Sequence, residues 1–228
     1  MHIDELAIAA VGRVFKEQIP ANSVVLDLMS SWRSHWPADH AKKRLVGLGM
    51  NAAEMADNPD LDDYVVHDLN RDPEIPFGED LFDAVVVTVS VQYLTRPIET
   101  FQQVYRVLKP GGVFIVTFSN RMFPTKAVRL WRGASDQGHL DLVVSYLEYA
   151  GEFEGIKGGL CPGKEGVGRE VEEACLADAV GRSGAGGQRV FRQGRVHLDG
   201  GRRLGGASGQ EQAQQHTGQA WESVCHRY

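Results

Sequence analysis

The stretch SVVLDLMSSWRSHWP, residues 23–37, decides the fold. A short apolar run ends at the acid Asp27 and then breaks into a small polar loop that contains two tryptophans. A run that is apolar on both faces is typical of a parallel strand covered on both sides. In an open α/β sheet, ligands bind beyond the carboxyl end of such a strand, where the strand order reverses. We therefore predict that this loop holds a nucleotide-like cofactor.

Helices and strands alternate on both sides of this stretch. The patterns predict helices near residues 3–18, 52–56, 97–108 and 139–150, and strands near 23–28, 44–48, 61–67, 81–89 and 113–118. Alternation at this pitch indicates βαβ units, a parallel sheet and right-handed crossovers. The predicted fold class is therefore α/β, with a Rossmann-like, doubly wound and mostly parallel sheet.

Composition argues against several classes of protein. The 228 residues suffice for one good-sized domain, and 24 basic against 30 acidic residues give a formal charge of −6. We expect no nucleic-acid partner, because such surfaces need basic patches. No apolar run approaches the roughly 20 residues of a membrane span. The three cysteines form no cluster at metal spacing, so we expect no metal and a soluble, intracellular, reduced compartment, the cytoplasm with an organelle left open.

Three segments in register carry a resemblance to a known family. VVLDL at 24–28, FDAVVV at 82–87 and VLKPGGVFIV at 107–116 have the order and spacing of class I S-adenosylmethionine-dependent methyltransferases. The segments LDLMSSW, VSVQYLTRP and SNRMFPTKAVR resemble small proteins of the methyltransferase type 11 group. The resemblance covers residues 3–157 and implies a seven-stranded, mostly parallel sheet. It also implies S-adenosyl-L-methionine as the cofactor, and we expect a small-molecule methyl acceptor.

The resemblance further implies that the loop after the first strand contacts the cofactor. Asp27 would hold a water or the amino group of the methionine moiety, although a simple strand-capping role is the alternative. Met29, Ser31 and Arg33 stand where glycines are usual in this loop. Asp27, Ser30 and the loop amides must therefore hold the cofactor in another way.

The loop after the second strand also departs from the family pattern. Gly49 stands where an acid would grip the ribose hydroxyls. Asn51 or Glu54 is then the substitute, unless Asn51 is only a helix N-cap. Met50 would pack on the adenine or the ribose.

The third and fourth strands supply the remaining implied contacts. Asp68 matches the acid that receives the adenine amino group, with Leu69 as a backbone donor and apolar wall, and a turn-forming role for Asp68 is the alternative. Ser90 leaves the fourth strand across the switch point from Asp27. We expect Ser90 to touch the cofactor's amino-acid end or its sulfonium side.

The sequence singles out no catalytic residue. Methyl transfer is an in-line displacement to which an enzyme contributes alignment and desolvation. Candidates on the acceptor side, for each of which packing or solvation is an alternative role, are His35, Gln92, Tyr93, Arg121 and Lys126. Two functions stay open: a methyltransferase with an unidentified acceptor, and a cofactor-binding or regulatory protein that keeps the fold without catalysis. A Rossmann oxidoreductase is disfavoured, because no GxGxxG follows the first strand.

The composition changes after residue 157. Residues 158–228 hold 16 of the 26 glycines and are rich in arginine and glutamine. We expect residues 1–157 to form the methyltransferase-like domain and residues 158–228 to be a largely disordered tail, a genuine extension or out-of-frame sequence. One short helix is expected over residues 170–180. On this interpretation the last two strands of the family sheet are missing or replaced, and the fifth strand is an exposed apolar edge.

Overall fold

The computed structural model describes residues 3, 5–119, 121–151, 153–161 and 174–180. In this part of the chain the strands are β1 (Ser23–Leu28), β2 (Lys42–Gly49), β3 (Asp63–Val66), β4 (Phe82–Thr88), β5 (Leu108–Ser119), β6 (Glu154–Cys161) and β7 (Ala174–Val180). The α-helices are α1 (Glu5–Gln18), α2 (Ala52–Ala56), α3 (Pro97–Val107), α4 (Arg129–Arg132) and α5 (Asp136–Ala150), and a 3₁₀ turn spans Val91–Tyr93. The strands form one sheet in the order β3-β2-β1-β4-β5-β7-β6.

The strand order reverses between β1 and β4. β1 pairs in parallel with β2 on one side and with β4 on the other, and Asp27 lies in register with Gly47 and Val86. The loops that follow β1, β2 and β4 therefore leave the sheet at the same edge, beside the switch point where open α/β sheets bind ligands. This arrangement confirms the predicted fold class.

Helices cover both faces of the sheet. The smaller core packs α1 and Trp36 against one face and includes Val11, Val14, Phe15, Ile19, Val25, Val86 and Ile115. The larger core joins the other face to α3, α4 and α5 and includes Phe101, Phe114, Trp131, Val143 and Leu147. Because both faces are buried, β1 and β4 are nearly continuous apolar runs rather than alternating ones.

The C-terminal strands correct the sequence prediction. β7 pairs antiparallel with β5 over Val113–Ser119 and antiparallel with β6. The prediction of missing last strands is therefore wrong, β5 is not an edge, and residues 174–180 form a strand where a short helix was expected. The boundary predicted after residue 157 falls inside β6. The glycines of β6 hide its period-two pattern, and among the described residues β6 pairs with β7, which follows after residues 162–173, so the pattern of β6 alone gave no signal. The predicted disorder of the tail concerns residues 162–173 and 181–228, which lie outside the described residues.

Candidate functional site

Asp27 is the buried anchor of the loop that follows β1. Its residue is 3% exposed, and its Oδ2 accepts hydrogen bonds from Ser30 Oγ at 2.7 Å and from Ser34 Oγ at 2.6 Å. Burial raises the pKa of the Asp27 carboxyl from 3.8 to about 6; the two hydroxyl donors oppose this shift, and the charge of Asp60 adds to it. One carboxylate oxygen thus fixes both the beginning and the end of the loop.

The loop bends at two residues with left-handed backbone. Met29 has φ 57° and His35 has φ 56°. This conformation is ordinary for glycine and costs other residues energy. Met29 therefore takes a glycine-like backbone at one of the positions where the family has glycine. Between the two bends, Trp32 is 50% exposed, and Arg33 donates from Nη1 to the Trp32 carbonyl oxygen.

The end of β2 is packed directly against the same loop. A Cβ at Gly49 would come within 2.2 Å of the Ser30 carbonyl oxygen and 3.1 Å of Met55 Sδ. The Ser30 N–H donates to the Leu48 carbonyl oxygen at 2.9 Å, which holds the two backbones together. This close approach explains why residue 49 carries no acid: any side chain would collide with the loop backbone.

The first turn of α2 brings a carboxylate to this edge of the sheet. Asn51 caps the helix, because its Oδ1 accepts from the N–H groups of Ala53 and Glu54. The side chain of Glu54 accepts from Ser31 Oγ through Oε2, at 2.5 Å, and from Asn51 Nδ2 through Oε1, at 2.8 Å. Met50, which directly precedes Asn51 in the sequence, is 68% exposed. These contacts show Asn51 in the helix-capping role that the sequence left as an alternative.

The loop after β3 is held to the segment after β4. Asp68 Oδ1 accepts from the Asn70 N–H at 3.0 Å, which is the turn-forming geometry left open for this residue. Leu69 is buried in the larger core. Asn70 donates to the Tyr93 carbonyl oxygen at 3.0 Å and accepts from the Thr95 N–H at 2.7 Å. Sequence reasoning missed Asn70; its signal was a position three residues after a predicted strand.

A group of buried polar atoms lies at the carboxyl ends of β4 and β5. Val89 leaves β4 with φ 50°, a rare conformation for a β-branched residue, and directs the chain to Ser90, which is 8% exposed. Among the described residues, no hydrogen-bond partner is found for the Oγ of Ser90, Oε1 of Gln92, or Oγ1 of Thr88 and Thr117. Thr88 and Thr117 were missed by sequence reasoning, although each is the penultimate residue of its predicted strand and the two strands are neighbours in the sheet.

The remaining acceptor-side candidates lie in or against the loop that follows β5. Tyr93 accepts a hydrogen bond from the Phe123 N–H at its phenolic oxygen, 3.0 Å away, and the two rings are 6.3 Å apart. Lys126 Nζ lies 5.4 Å from the centre of the Phe123 ring. The Arg121 N–H donates to Ser119 Oγ at 3.2 Å. Tyr93 thus fastens this loop to the 3₁₀ turn after β4.

Among the residues that the structure describes, no group of three or more His, Cys, Asp or Glu side chains is arranged to hold a metal ion. None of the helices described here has the length and apolar character needed to cross a membrane.

Comparison with known families agrees with the fold. The methyltransferase domain family Methyltransf_11 matches residues 34–116, a segment that begins within the loop after β1. A ubiquinone/menaquinone biosynthesis C-methyltransferase from Roseobacter denitrificans is 34% identical over 68 residues, which are 30% of this chain and 26% of that protein. The matched segments span between 12% and 27% of the length of the curated relatives.

Solved structures share the architecture at low sequence identity. The [4+2]-cyclase SpnF is 16% identical, with a TM-score of 0.56, over 76% of this chain and 81% of that one. An S-adenosylmethionine-dependent methyltransferase from Mesorhizobium loti is 17% identical, with a TM-score of 0.52, over 75% of this chain and 97% of that one. The fold is therefore the class I methyltransferase fold. The match to the methyltransferase domain family over residues 34–116 is a similarity over part of the chain that agrees with this fold.

Proposed function

We propose that this protein is an S-adenosylmethionine-dependent methyltransferase that acts on a small-molecule acceptor. The observation that carries the proposal is the buried carboxyl of Asp27 at the switch point, together with the Ser90 hydroxyl at the end of the neighbouring strand, for which the described residues offer no hydrogen-bond partner. A carboxylate suits the ammonium group of a methionine moiety. A buried hydroxyl without a partner costs free energy until a ligand pairs with it. The similarity to a quinone-biosynthesis C-methyltransferase supports a small acceptor.

The groups at the edge of the sheet fit the parts of S-adenosylmethionine, which carries no phosphate and needs no phosphate-binding loop. Asp27 and Ser90 would hold the amino-acid end. The exposed side chain of Met50 offers an apolar surface to the adenine. Asp68 and the backbone N–H of Leu69 would meet the edge of the adenine ring. The backbone of Met29, Ser30 and Ser31, shaped by the left-handed bend at Met29, would pass close to the cofactor, with Gly49 and Asn51 forming the neighbouring wall.

Methyl transfer requires the protein to align the reacting groups and to exclude water from them. When bound, S-adenosylmethionine supplies a methyl group on a positive sulfur, and the acceptor atom takes it by in-line displacement. Gln92 and Thr117 offer neutral, buried hydrogen-bonding atoms that would orient a polar acceptor beside that methyl group. Their burial excludes water, which would otherwise compete for the same hydrogen bonds.

A second function is favoured by a specific departure from the family. Met29 replaces a glycine at a left-handed position of the cofactor loop. The structural neighbour SpnF is named as a cyclase although it shares the fold. Because a fold does not fix the chemistry it supports, a cofactor-binding or regulatory protein without methyl transfer is the alternative.

Calorimetry with S-adenosylmethionine and S-adenosylhomocysteine tests both functions. We expect saturable binding of each, weakened roughly tenfold or more by Asp27→Asn because the charge-assisted contact is lost. Asp141→Asn on the exposed face of α5 is the control and should bind as the wild type does. Binding should be followed by incubation with labelled S-adenosylmethionine and a panel of quinols, phenols and carboxylic acids. Label on an acceptor supports the methyltransferase, and binding without transfer supports the alternative. Absence of binding refutes both.

A further inference from the structure

The chain that follows β5 carries a concentration of positive charge. Residues 121–132, which we call the basic segment, contain four basic side chains and no acidic one, whereas the rest of residues 1–157 contains 11 basic and 22 acidic side chains. All four basic residues are exposed: Arg121, Lys126, Arg129 and Arg132. The basic segment is therefore a positively charged part of the surface on a chain with a formal charge of −6.

The inner side of the basic segment is fixed to the protein. The Phe123 N–H donates to the Tyr93 hydroxyl oxygen at 3.0 Å, and the Val128 N–H donates to the Gln92 carbonyl oxygen at 3.0 Å. Trp131 is fully buried in the larger core. These contacts hold the segment at the carboxyl ends of β4 and β5, and its exposed side chains form one continuous stretch of surface there.

Apolar side chains are exposed among these cations. Leu130 follows Arg129 and is 66% exposed. Phe123 is 45% exposed, and Lys126 Nζ lies 5.4 Å from the centre of its ring. Single exposed apolar side chains are ordinary on protein surfaces, but here two large ones share a short segment with four cations. Lys and Arg interleaved with Phe and Leu are typical of segments that lie at the boundary between lipid headgroups and acyl chains.

The cations of the basic segment are available to an external anion. Of the salt bridges found among the described residues, none involves Lys126, Arg129 or Arg132. Long basic side chains can keep their charge in water while their stems lie along apolar groups. A surface of anionic lipid headgroups attracts such charges, and each Lys or Arg close to it adds to the binding.

The composition of the segment favours a lipid surface over other anionic partners. A nucleic acid is bound by a basic patch or stripe on a domain that is itself basic, whereas the cations here are confined to one loop of an acidic chain. An acidic protein would pair with the cations but gives no particular reason for an exposed leucine between them. Acyl chains would remove Leu130 and Phe123 from water, which is favourable in proportion to the apolar area buried.

We propose that the basic segment docks on anionic phospholipid surfaces. Lys126, Arg129 and Arg132 contact the headgroups, and Leu130 and Phe123 enter the boundary beneath them. The docking itself does not rest on the proposed function. Because the segment is joined to the 3₁₀ turn after β4, docking brings the acceptor side of the proposed site to the membrane.

Co-sedimentation of the full chain with vesicles tests the proposal. The vesicles are made of phosphatidylcholine alone or of phosphatidylcholine mixed equally with phosphatidylglycerol. We expect the wild type to bind the mixed vesicles at low ionic strength, to bind phosphatidylcholine alone far less, and to be released as salt is added. The double variant Arg129→Gln with Arg132→Gln should bind the mixed vesicles roughly 25-fold less tightly, since each cation contributes roughly fivefold.

A second variant tests the apolar part of the contact. Leu130→Ser should weaken binding to the mixed vesicles roughly tenfold and leave binding to polyglutamate, an acidic probe without acyl chains, unchanged. The matched control is the double variant Lys43→Gln with Arg44→Gln, which removes two exposed charges where β2 begins, at the opposite edge of the sheet. It should bind the mixed vesicles as the wild type does, and thermal melts show whether each variant is folded.

The remaining outcomes count against the proposal. It is overturned if the wild type does not bind the mixed vesicles, or if the two double variants bind them equally, because net charge or another part of the chain would then carry the binding. Tighter binding of the wild type to polyglutamate or to a short DNA duplex than to the mixed vesicles would assign the segment to a different partner. None of these measurements uses the cofactor, so a failure of docking leaves the proposed function untouched, and the reverse also holds.

Discussion

The carbonyl oxygen of Ser30 occupies the space that a side chain at Gly49 would need. The distance from that oxygen to a Cβ built on Gly49 is 2.2 Å, well below any real contact of this kind. The oxygen belongs to backbone that is itself fixed by the Ser30 N–H bond to Leu48 and by the Ser30 hydroxyl bond to Asp27. The loop cannot move aside without breaking both hydrogen bonds.

Restoring the acid that the family pattern expects should therefore damage the protein. We predict that Gly49→Asp lowers the free energy of unfolding by about 3 kcal/mol or more, as for other overpacked core sites, and weakens cofactor binding. Urea unfolding measures the first effect and calorimetry the second. Gly133→Ala is the matched control, because a Cβ there meets nothing within 4 Å. An unimpaired Gly49→Asp variant would show that the two backbones can separate.

The raised pKa of Asp27 makes its contribution to stability fall as the pH rises, which is the opposite of the usual behaviour of a carboxyl group. The pKa of this carboxyl rises from 3.8 in the unfolded chain to about 6 on burial, so folding takes up a proton between these values. The contribution of Asp27 to stability is thus full at low pH and is lost as the pH rises through about 6. The shift of about 2 pKa units corresponds to a loss of about 3 kcal/mol.

Asp27→Asn isolates this effect. The unfolding free energy of the variant minus that of the wild type should rise by about 2 kcal/mol between pH 4 and pH 7, as followed by urea titrations at each pH. Asp83→Asn is the comparison. Partial burial opposes the shift there, but Lys109 and the Val24 N–H lower the pKa of Asp83, so its difference curve should slope the other way. A flat curve for Asp27→Asn would mean that the carboxyl is hydrated in the folded protein.

The left-handed backbone at Met29 reverses the usual order of stability, in which an alanine variant is more stable than a glycine variant. Both substitutions remove the Met29 side chain, but only glycine adopts φ 57° without a penalty. We predict that Met29→Gly is more stable than Met29→Ala by about 1 kcal/mol, measured by urea unfolding. At Ala53, in the right-handed helix α2, the order should be the ordinary one, with Ala53→Gly less stable than the wild type. If alanine is preferred at both positions, the bend at Met29 is not maintained in solution.

Two buried threonines should respond oppositely to replacement by valine. Thr100 Oγ1 donates to the Arg96 carbonyl oxygen at 2.9 Å, so Thr100→Val should cost about 1 kcal/mol. Thr117 is equally buried, but its hydroxyl lacks a partner among the described residues, so Thr117→Val should be neutral or stabilising in the absence of ligand. Thermal melts of the two variants test this difference. Equal destabilisation would indicate that the Thr117 hydroxyl is already paired.

Much of the fold could be predicted from local patterns. β1, α2 and α3 begin and end within one residue of their predicted limits. Apolar periodicity and β-branched runs carry this information, because each reflects which side chains a single element buries. Asp27 was found for the same reason: it is the acid that ends an apolar strand. β6 and β7 were missed, because their glycines blur the alternation and each strand is specified by its partners.

By itself, the sequence determined the order of the elements, the parallel sheet and the position of the loop at its switch point. These follow from side-chain periodicity over short stretches of chain. Only the tertiary structure decided that Gly49 must lack a side chain, that Ser31 holds Glu54, and that the Thr117 hydroxyl finds no partner among the described residues. These facts depend on which backbone or side chain packs against another from a distant part of the chain, and no local pattern encodes that contact.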